Sequence, residues 1–413
     1  MKRISTSLIS LGAAMVVLAP APAAVASGQT VGRDKPRCHG AIATIVGTSG
    51  KDDLRGTPHR DVIVARGGKD TIDGFAGNDV ICGGRAEDAI RGGPGDDTID
   101  GQQDGVQWAG PAIYYPNRIQ GGPGDDKVIE SSKGTPDLLT FESADRGITA
   151  DLAKGRVRGQ GRDRLKGAFR IIGTPHGDRV TAPGRASMAL GRGRDRVVVD
   201  RGRVATGKGD DTITVRANGR FDIVSGPGDD SISLPNTGSN HVSGSWEVWA
   251  GYGDDSVSSN VPGISIYAEE GNDRVEATAS TWTVAPGPGR NTVIGSAAVD
   301  RVHLSNGRDT VRTNGGDDVV KNGSGRSNVR LGAGDDKVQG ASLGGKAPVK
   351  PDTFRGGRGV DLVSYEYWYP PHGRRGLTVH LGKGGCDRHV HRPRQHPGIR
   401  AGKRNVGTGP ADR

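Results

Sequence analysis

From Gly47 onward the chain alternates polar and aliphatic positions over a few residues, breaks on glycine, and starts again nine residues later. Six consecutive nonapeptides read GTSGKDDLR, GTPHRDVIV, ARGGKDTID, GFAGNDVIC, GGRAEDAIR and GGPGDDTID. Their eighth position is aliphatic every time: Leu54, Ile63, Ile72, Ile81, Ile90 and Ile99. One apolar side chain between polar neighbours predicts a short strand with that side chain turned inward. Glycines at the first, second and fourth positions predict a tight turn with positive φ between strands. A second run keeps the frame from Ala250 to Gln339 without an inserted residue, and slipped copies such as TGKGDDTIT and SGPGDDSIS lie between the runs. No such strand can bury enough surface alone, so the pattern predicts stacking into a solenoid.

The sixth position of the first run is always Asp: Asp52, Asp61, Asp70, Asp79, Asp88 and Asp97. With that residue in phase with the aliphatic one, the nonapeptides resemble the RTX, or haemolysin-type calcium-binding, repeat G-G-x-G-x-D-x-U-x, in which U is a large aliphatic residue. The resemblance covers most of 47–339. It implies an all-β fold, a right-handed parallel β-roll or β-helix solenoid interrupted by spacers, with two nonapeptides per coil. Residues eighteen apart then lie above one another.

On that architecture the aspartates form columns of like charge at the strand spacing of about 4.8 Å. Two such charges repel by about 3 kcal/mol at an effective dielectric of 20. Calcium takes oxygen ligands at about 2.4 Å, so an ion between successive coils fits the spacing. The six aspartates above are therefore expected to ligate several Ca2+ ions. So are Asp126, Asp178, Asp195, Asp211 and Asp230 in the slipped copies, and Asp255, Asp273, Asp300, Asp309, Asp318, Asp336 and Asp361 in the later part. Glycine-turn carbonyls supply further ligands in the resembled family. In the late run one edge reads Asp255, Asp273, Asn291, Asp309, Ser327. The other reads Trp246, Ile264, Trp282, Asp300, Asp318, Asp336, so calcium is expected on that edge only from Asp300 onward. Arg194, Arg290 and Arg308 sit inside turns, where an Arg–carboxylate pair is the alternative to an ion.

Composition narrows the picture. Only 33% of the 413 residues are hydrophobic and 4% aromatic, with 70 glycines. This excludes an ordinary globular core and leaves disorder or a repeat fold. The net charge of +9 counts Lys2 and Arg3 and a basic end, Arg374 to Arg413, with ten Lys/Arg against two Asp; the rest sums to about neutral. A nucleic-acid binder is not expected. The start, with Lys2 and Arg3, a short apolar run broken by Pro20 and Pro22, and Ala24-Val25-Ala26, has the form of a secretory signal peptide cut after Ala26. No membrane span is expected in the mature chain.

The expected organisation is 1–26 signal peptide, 27–46 N-terminal cap, 47–100 first repeat block, 101–120 inserted loop and 121–172 repeat plus spacer. It continues with 173–249 slipped repeats, 250–340 second block and 341–413 a degenerate basic spacer module that stops just after Asp412 in a repeat frame. Three cysteines remain after export. A Cys38–Cys82 disulfide would staple the entry segment to the roll, the alternative being free thiols. Cys386 with His389, His391 and His396 fits no defined zinc spacing.

The leading expectation is a secreted, non-catalytic calcium-binding repeat protein. The alternatives are an extracellular enzyme acting on polysaccharide from a solenoid groove, or an adhesin or matrix protein that contacts polysaccharide or cell-surface material. The zinc-protease motif H-E-x-x-H does not occur in the chain.

Overall fold

In the computed structural model the described residues are 35–102, 116–131, 136–216, 220–235, 246–323, 325–340, 352–364 and 378–380. Among them the secondary structure is all strand, with no helix. Thirty-three strands join in one almost wholly parallel sheet. Its pairing separates into two stacks: Thr71–Asp73 lies between Asp53–Arg55 and Ala89–Arg91, while the intervening Val62–Val64 lies between Ile45–Val46 and Val80–Cys82. One coil therefore spends one strand on each stack. This is a β-roll, as the resemblance to the RTX repeat implies.

The offset between stacked strands is eighteen residues in both regular blocks, as in Val62↔Val80 and Val257↔Val275. In the slipped region it shortens to sixteen at Val197↔Ile213 and lengthens to twenty-five at Ile232↔Val257. Insertions are absorbed between strands and the inward position is kept. Ile63, Ile81, Ile99, Val180, Ile213, Val257 and Val338 are all fully buried, in one continuous apolar column between the stacks. Burying an aliphatic side chain of this kind contributes about 1.5–3 kcal/mol. Trp246 and Phe221 widen the column where they meet edge to face, ring centroids 4.5 Å apart.

Three observations refine the expected organisation. Within the segment expected as an inserted loop, Arg118–Gln120 is a strand of the roll, paired with Ala89–Arg91 and Leu138–Thr140; 103–115 lie outside the described residues. The spacer at 141–172 does not simply continue parallel coils. Thr149–Asp151, Arg156–Arg158 and Arg162–Lys166 form an antiparallel meander whose outer strands pair in parallel with Arg179–Arg192 and Lys127–Ile129. Beyond residue 340, Thr353–Arg358, Leu362–Ser364 and Thr378–His380 add further rungs. The expected signal peptide, and Cys386 with its neighbouring histidines, lie outside the described residues.

Cys38 and Cys82 are bonded, with Cα atoms 5.8 Å apart. Cys38 belongs to a small hairpin, Arg37–Cys38 with Ala41–Ile42, turned at His39 and Gly40, both at positive φ. Val62 and Val64 flank the inward Ile63 and so face outward, yet both are buried because the hairpin covers them. The entry segment thus caps a flank of the first coils, while Ile45–Val46 supplies the starting strand. The bridge spans 44 residues, and closing a loop of that size in the unfolded chain contributes about 2–4 kcal/mol. Replacing both cysteines (C38S/C82S) is expected to lower the unfolding free energy of the calcium-loaded protein by about that amount, seen as a lower denaturant midpoint in circular dichroism. An unchanged midpoint would show that the hairpin holds without the bridge.

Candidate metal centres

The sixth-position aspartates lie at the end of each turn, and the strand that follows carries the inward aliphatic residue. They are consequently held inside the corner of the roll. Asp70, Asp79, Asp97, Asp195, Asp273 and Asp336 are each no more than 2% exposed. The structure brings them into columns. The backbone N–H of Asp61 donates to Oδ1 of Asp79 at 2.7 Å, Asp79 to Asp97 at 2.8 Å, and Asp97 to Asp126 at 3.0 Å. A second column runs Asp52, Asp70, Asp88 on the other edge. A third runs Asp178, Asp195, Asp211, Asp230, Asp255, Asp273, Asn291, Asp309, and a fourth Asp300, Asp318, Asp336, Asp361.

One oxygen of each carboxylate is therefore used by the neighbouring coil. The other divides the aspartates into two kinds. In turns that open with Gly-Thr or Gly-Ser, Oδ2 is closed by the turn itself. Thr48, Thr57, Thr174 and Ser296 donate backbone N–H to Asp52, Asp61, Asp178 and Asp300 at 2.6–2.8 Å. In most other turns of the columns Oδ2 has no such donor, and Asp309, which follows Leu304-Ser305, is one of these. The Oδ2 atoms of Asp70, Asp79, Asp97, Asp126, Asp195, Asp255, Asp273, Asp309 and Asp336 are buried and make no hydrogen bond. The Oδ2 atoms of Asp211, Asp230 and Asp318 make none either, although the hydroxyls of Thr206, Ser225 and Thr313 act to lower these three pKa values.

A buried carboxylate oxygen without a donor is costly unless a cation meets it. The surroundings are suited to one. At Gly74, a first-position glycine, an added Cβ would lie 2.5 Å from Asp79 Oδ2 and 2.5 Å from the carbonyl oxygen of Gly92 on the next coil. Gly83 repeats the arrangement, with Asp88 Oδ2 at 2.8 Å and the Gly101 carbonyl at 2.9 Å. At these turns the first glycine leaves the space between the two oxygens open, whereas Ala65, Ala250 and Ala268 stand at the same position before Asp70, Asp255 and Asp273. The second serves the turn, as at Gly93, whose φ is +113°. Where that second glycine is replaced, Arg66, Phe75, Glu269 and Asn314 adopt positive φ instead, between 68° and 77°. The stacked turns hold a backbone conformation that these residues disfavour.

The electrostatics follow from this burial. Burial pushes Asp97, Asp230, Asp255, Asp273 and Asp318 up to about 7. Asp126 and Asp195 go to about 8, and Asp309 and Asp336 to about 6. The donated backbone N–H pulls the other way, and the next acid in the column raises the value again; for Asp126 those acids are Asp163 and Asp97.

Sequence reasoning missed several members. Asp163, on the meander, accepts from Asp126 N–H at 3.2 Å and is raised to about 7 by burial. Asn117 and Asp137 extend the second column beyond Asp88, and Asp352 accepts from Ser327 N–H. Fifth-position residues make a parallel ladder at the surface that runs in the opposite sense. Asp96 Oδ1 accepts from Asp125 N–H, and Asp229 Oδ1 from Asp254 N–H, both at 2.8 Å. The doubled acid in GDD was the available signal. At the edge expected to read Trp246, Ile264, Trp282, a bulge instead sets Thr281 opposite Ile264, and Thr281 donates to Asp300 Oδ1. Of the turn arginines, Arg194 pairs with Asp210 at 2.6 Å. Arg290 and Arg308 contribute only backbone N–H bonds.

A family model described as the RTX calcium-binding nonapeptide repeat matches in four copies, over residues 46–81, 55–90, 83–104 and 287–320. No curated protein matches the chain. The ladder of buried acids runs through 121–286 as well, between the matched stretches.

Proposed function

We propose that this chain, which carries RTX calcium-binding nonapeptide repeats within 46–104 and 287–320, is a secreted, non-catalytic protein whose roll forms on taking up several Ca2+ ions. The observation that carries the reading is the series of buried Oδ2 atoms with no hydrogen-bond donor, repeated along the columns. Calcium bound there would supply the missing positive charge. Asp70, Asp79, Asp97, Asp126, Asp195, Asp255, Asp273, Asp309, Asp318 and Asp336 would hold it, with first-position glycine carbonyls such as that of Gly92. Because these ligands come from different coils, binding and folding share one free energy. The self-closed turns of Asp52, Asp61, Asp178 and Asp300 are assigned a structural role instead. Export is supported by the signal-peptide pattern ending at Ala26 and by the Cys38–Cys82 bridge. Among the described residues no helix is long and apolar enough to cross a membrane.

Calorimetry combined with metal counting tests the proposal. The full chain is expected to retain several calcium ions, and Asp97→Asn to retain at least one fewer because it replaces a buried carboxylate oxygen that has no hydrogen-bond donor. Asp178→Asn should leave the count unchanged. A full chain that takes up no calcium rejects the reading.

A further inference from the structure

The near-neutral total of the body conceals a segregation of charge. Between residues 146 and 220 the chain carries eighteen Lys and Arg against seven Asp and no Glu. The fold then sorts them. In Arg156–Arg158, Arg162–Lys166, Arg179–Arg192 and Arg196–Lys208 the residues flanking the inward side chain point away from the core, so that Val157, Asp163, Val180 and Val197 are buried while Arg156, Arg158, Arg162, Arg164, Arg179 and Arg196 are exposed.

Pairing places these six side by side. Arg162 lies opposite Arg158, and Arg164 opposite Arg156. Thr149 then joins Arg158 to Arg179, which pairs with Arg196. A rank of cations, Arg162–Arg158–Thr149–Arg179–Arg196, crosses five neighbouring strands at about 4.8 Å each. Lys127 extends the adjacent rank from Arg164.

Like charges directly opposite one another destabilise a strand pair, and the surface offers them little relief. Among the described residues none of the six arginines forms an ion pair with a carboxylate. The nearest acid in the ranks, Asp151, is engaged by Lys154 at 3.0 Å. The buried acids of the columns lie on the inner side of the same strands. Asp125, whose Oδ1 accepts the backbone N–H of Arg162 at 2.9 Å, is a single acid at the edge of the ranks, and a periodic cation array of this kind attracts a polyanion. The face also lacks an exposed aromatic residue, since Phe169, the one aromatic in 146–220, is buried. Base stacking, on which single-stranded nucleic-acid binding relies, is therefore missing. We infer that this arginine-ranked sheet face binds an acidic polysaccharide, a linear glycan bearing carboxylate or sulfate groups. The inference goes beyond the calcium reading and uses none of its ligands.

The test titrates the calcium-loaded full chain with dextran sulfate, hyaluronate, unmodified dextran and a short DNA duplex. The two acidic glycans are expected to bind and dextran not. Affinity should fall by at least about ten-fold between low salt and 200 mM salt, because each engaged charge releases counterions. The variant R156Q/R158Q/R162Q/R164Q should lose at least about ten-fold in affinity with its circular-dichroism spectrum retained. Should the meander not tolerate four changes, R179Q/R196Q on the regular coils gives the same readout. Equal binding of dextran, unchanged affinity in the folded variants, or a preference for DNA over both glycans would each overturn the inference. Calcium counted on the same samples reports separately on the proposed function.

Discussion

Chelation at pH 8 is expected to abolish the strand signal of the whole roll, and restored calcium to return it cooperatively. The midpoint should lie in the range of extracellular calcium modules, about 10⁻⁴–10⁻³ M. The reason is local and repeated. Most turns of the columns confine a carboxylate whose second oxygen has no donor, and the next acid of the same column stands one coil away. The apolar column contributes one or two side chains per strand, such as Ile72 alone or Val197 with Val199, too little to hold many such charges out of water. Because stability in a solenoid is close to a sum over neighbouring coils, the penalty accumulates along the chain. Far-ultraviolet circular dichroism during EDTA addition and calcium return measures it. A spectrum unmoved by chelation would show that the acids are satisfied without metal.

Acid is expected to do part of what calcium does. In the metal-free roll Asp97, Asp126, Asp195, Asp309 and Asp336 titrate near 6 to 8, above the usual carboxylate value, because burial favours their neutral form. A group whose pKa is raised in the folded state binds its proton more tightly there. Its contribution to stability is therefore complete below the unfolded value near 4 and is lost as pH rises through the folded values. Chelated protein should accordingly keep strand structure at pH 4–5 and lose it between about pH 6 and 8. The calcium-loaded protein should behave oppositely, because its ligands must be deprotonated and protons displace the ion. Two melting series, with EDTA and with calcium, are expected to cross as pH is raised. Parallel curves would remove the carboxylate columns as the cause.

Much of this was legible in the sequence because the code is one-dimensional. The phase of Ile63, Ile81 and Ile99 fixes which side chain faces inward, and a period of nine with two strands per coil fixes which aspartates share a column. Insertions do not disturb it: Asp97 still meets Asp126 after twenty-nine residues. The antiparallel meander was not legible. RVR and RDRLK alternate with the same period of two in either strand direction, and only tertiary pairing decides between them. Nor did the motif distinguish Asp178 from Asp195, although the difference is written two residues into each turn. Thr174 brings a hydroxyl and a backbone N–H to Asp178, whereas Gly191, in the matching position of the next coil, brings no hydroxyl.

The placement of those hydroxyl-closed turns gives the roll a direction of growth. Asp61, Asp52, Asp178 and Asp300 each stand at the head of one of the four ladders, and each is already sealed by Thr57, Thr48, Thr174 or Ser296. The winding that opens a column has no acid beneath it with which to share an ion; below Asp178 and Asp300 stand Ile148 and Thr281. Here that winding asks for no ion at its own corner. Such points are ready nucleation seeds, and because every later acid leans on the amide of the winding before it, assembly runs from seed toward the C-terminal side, in the order in which a chain emerging N-terminus first presents its parts.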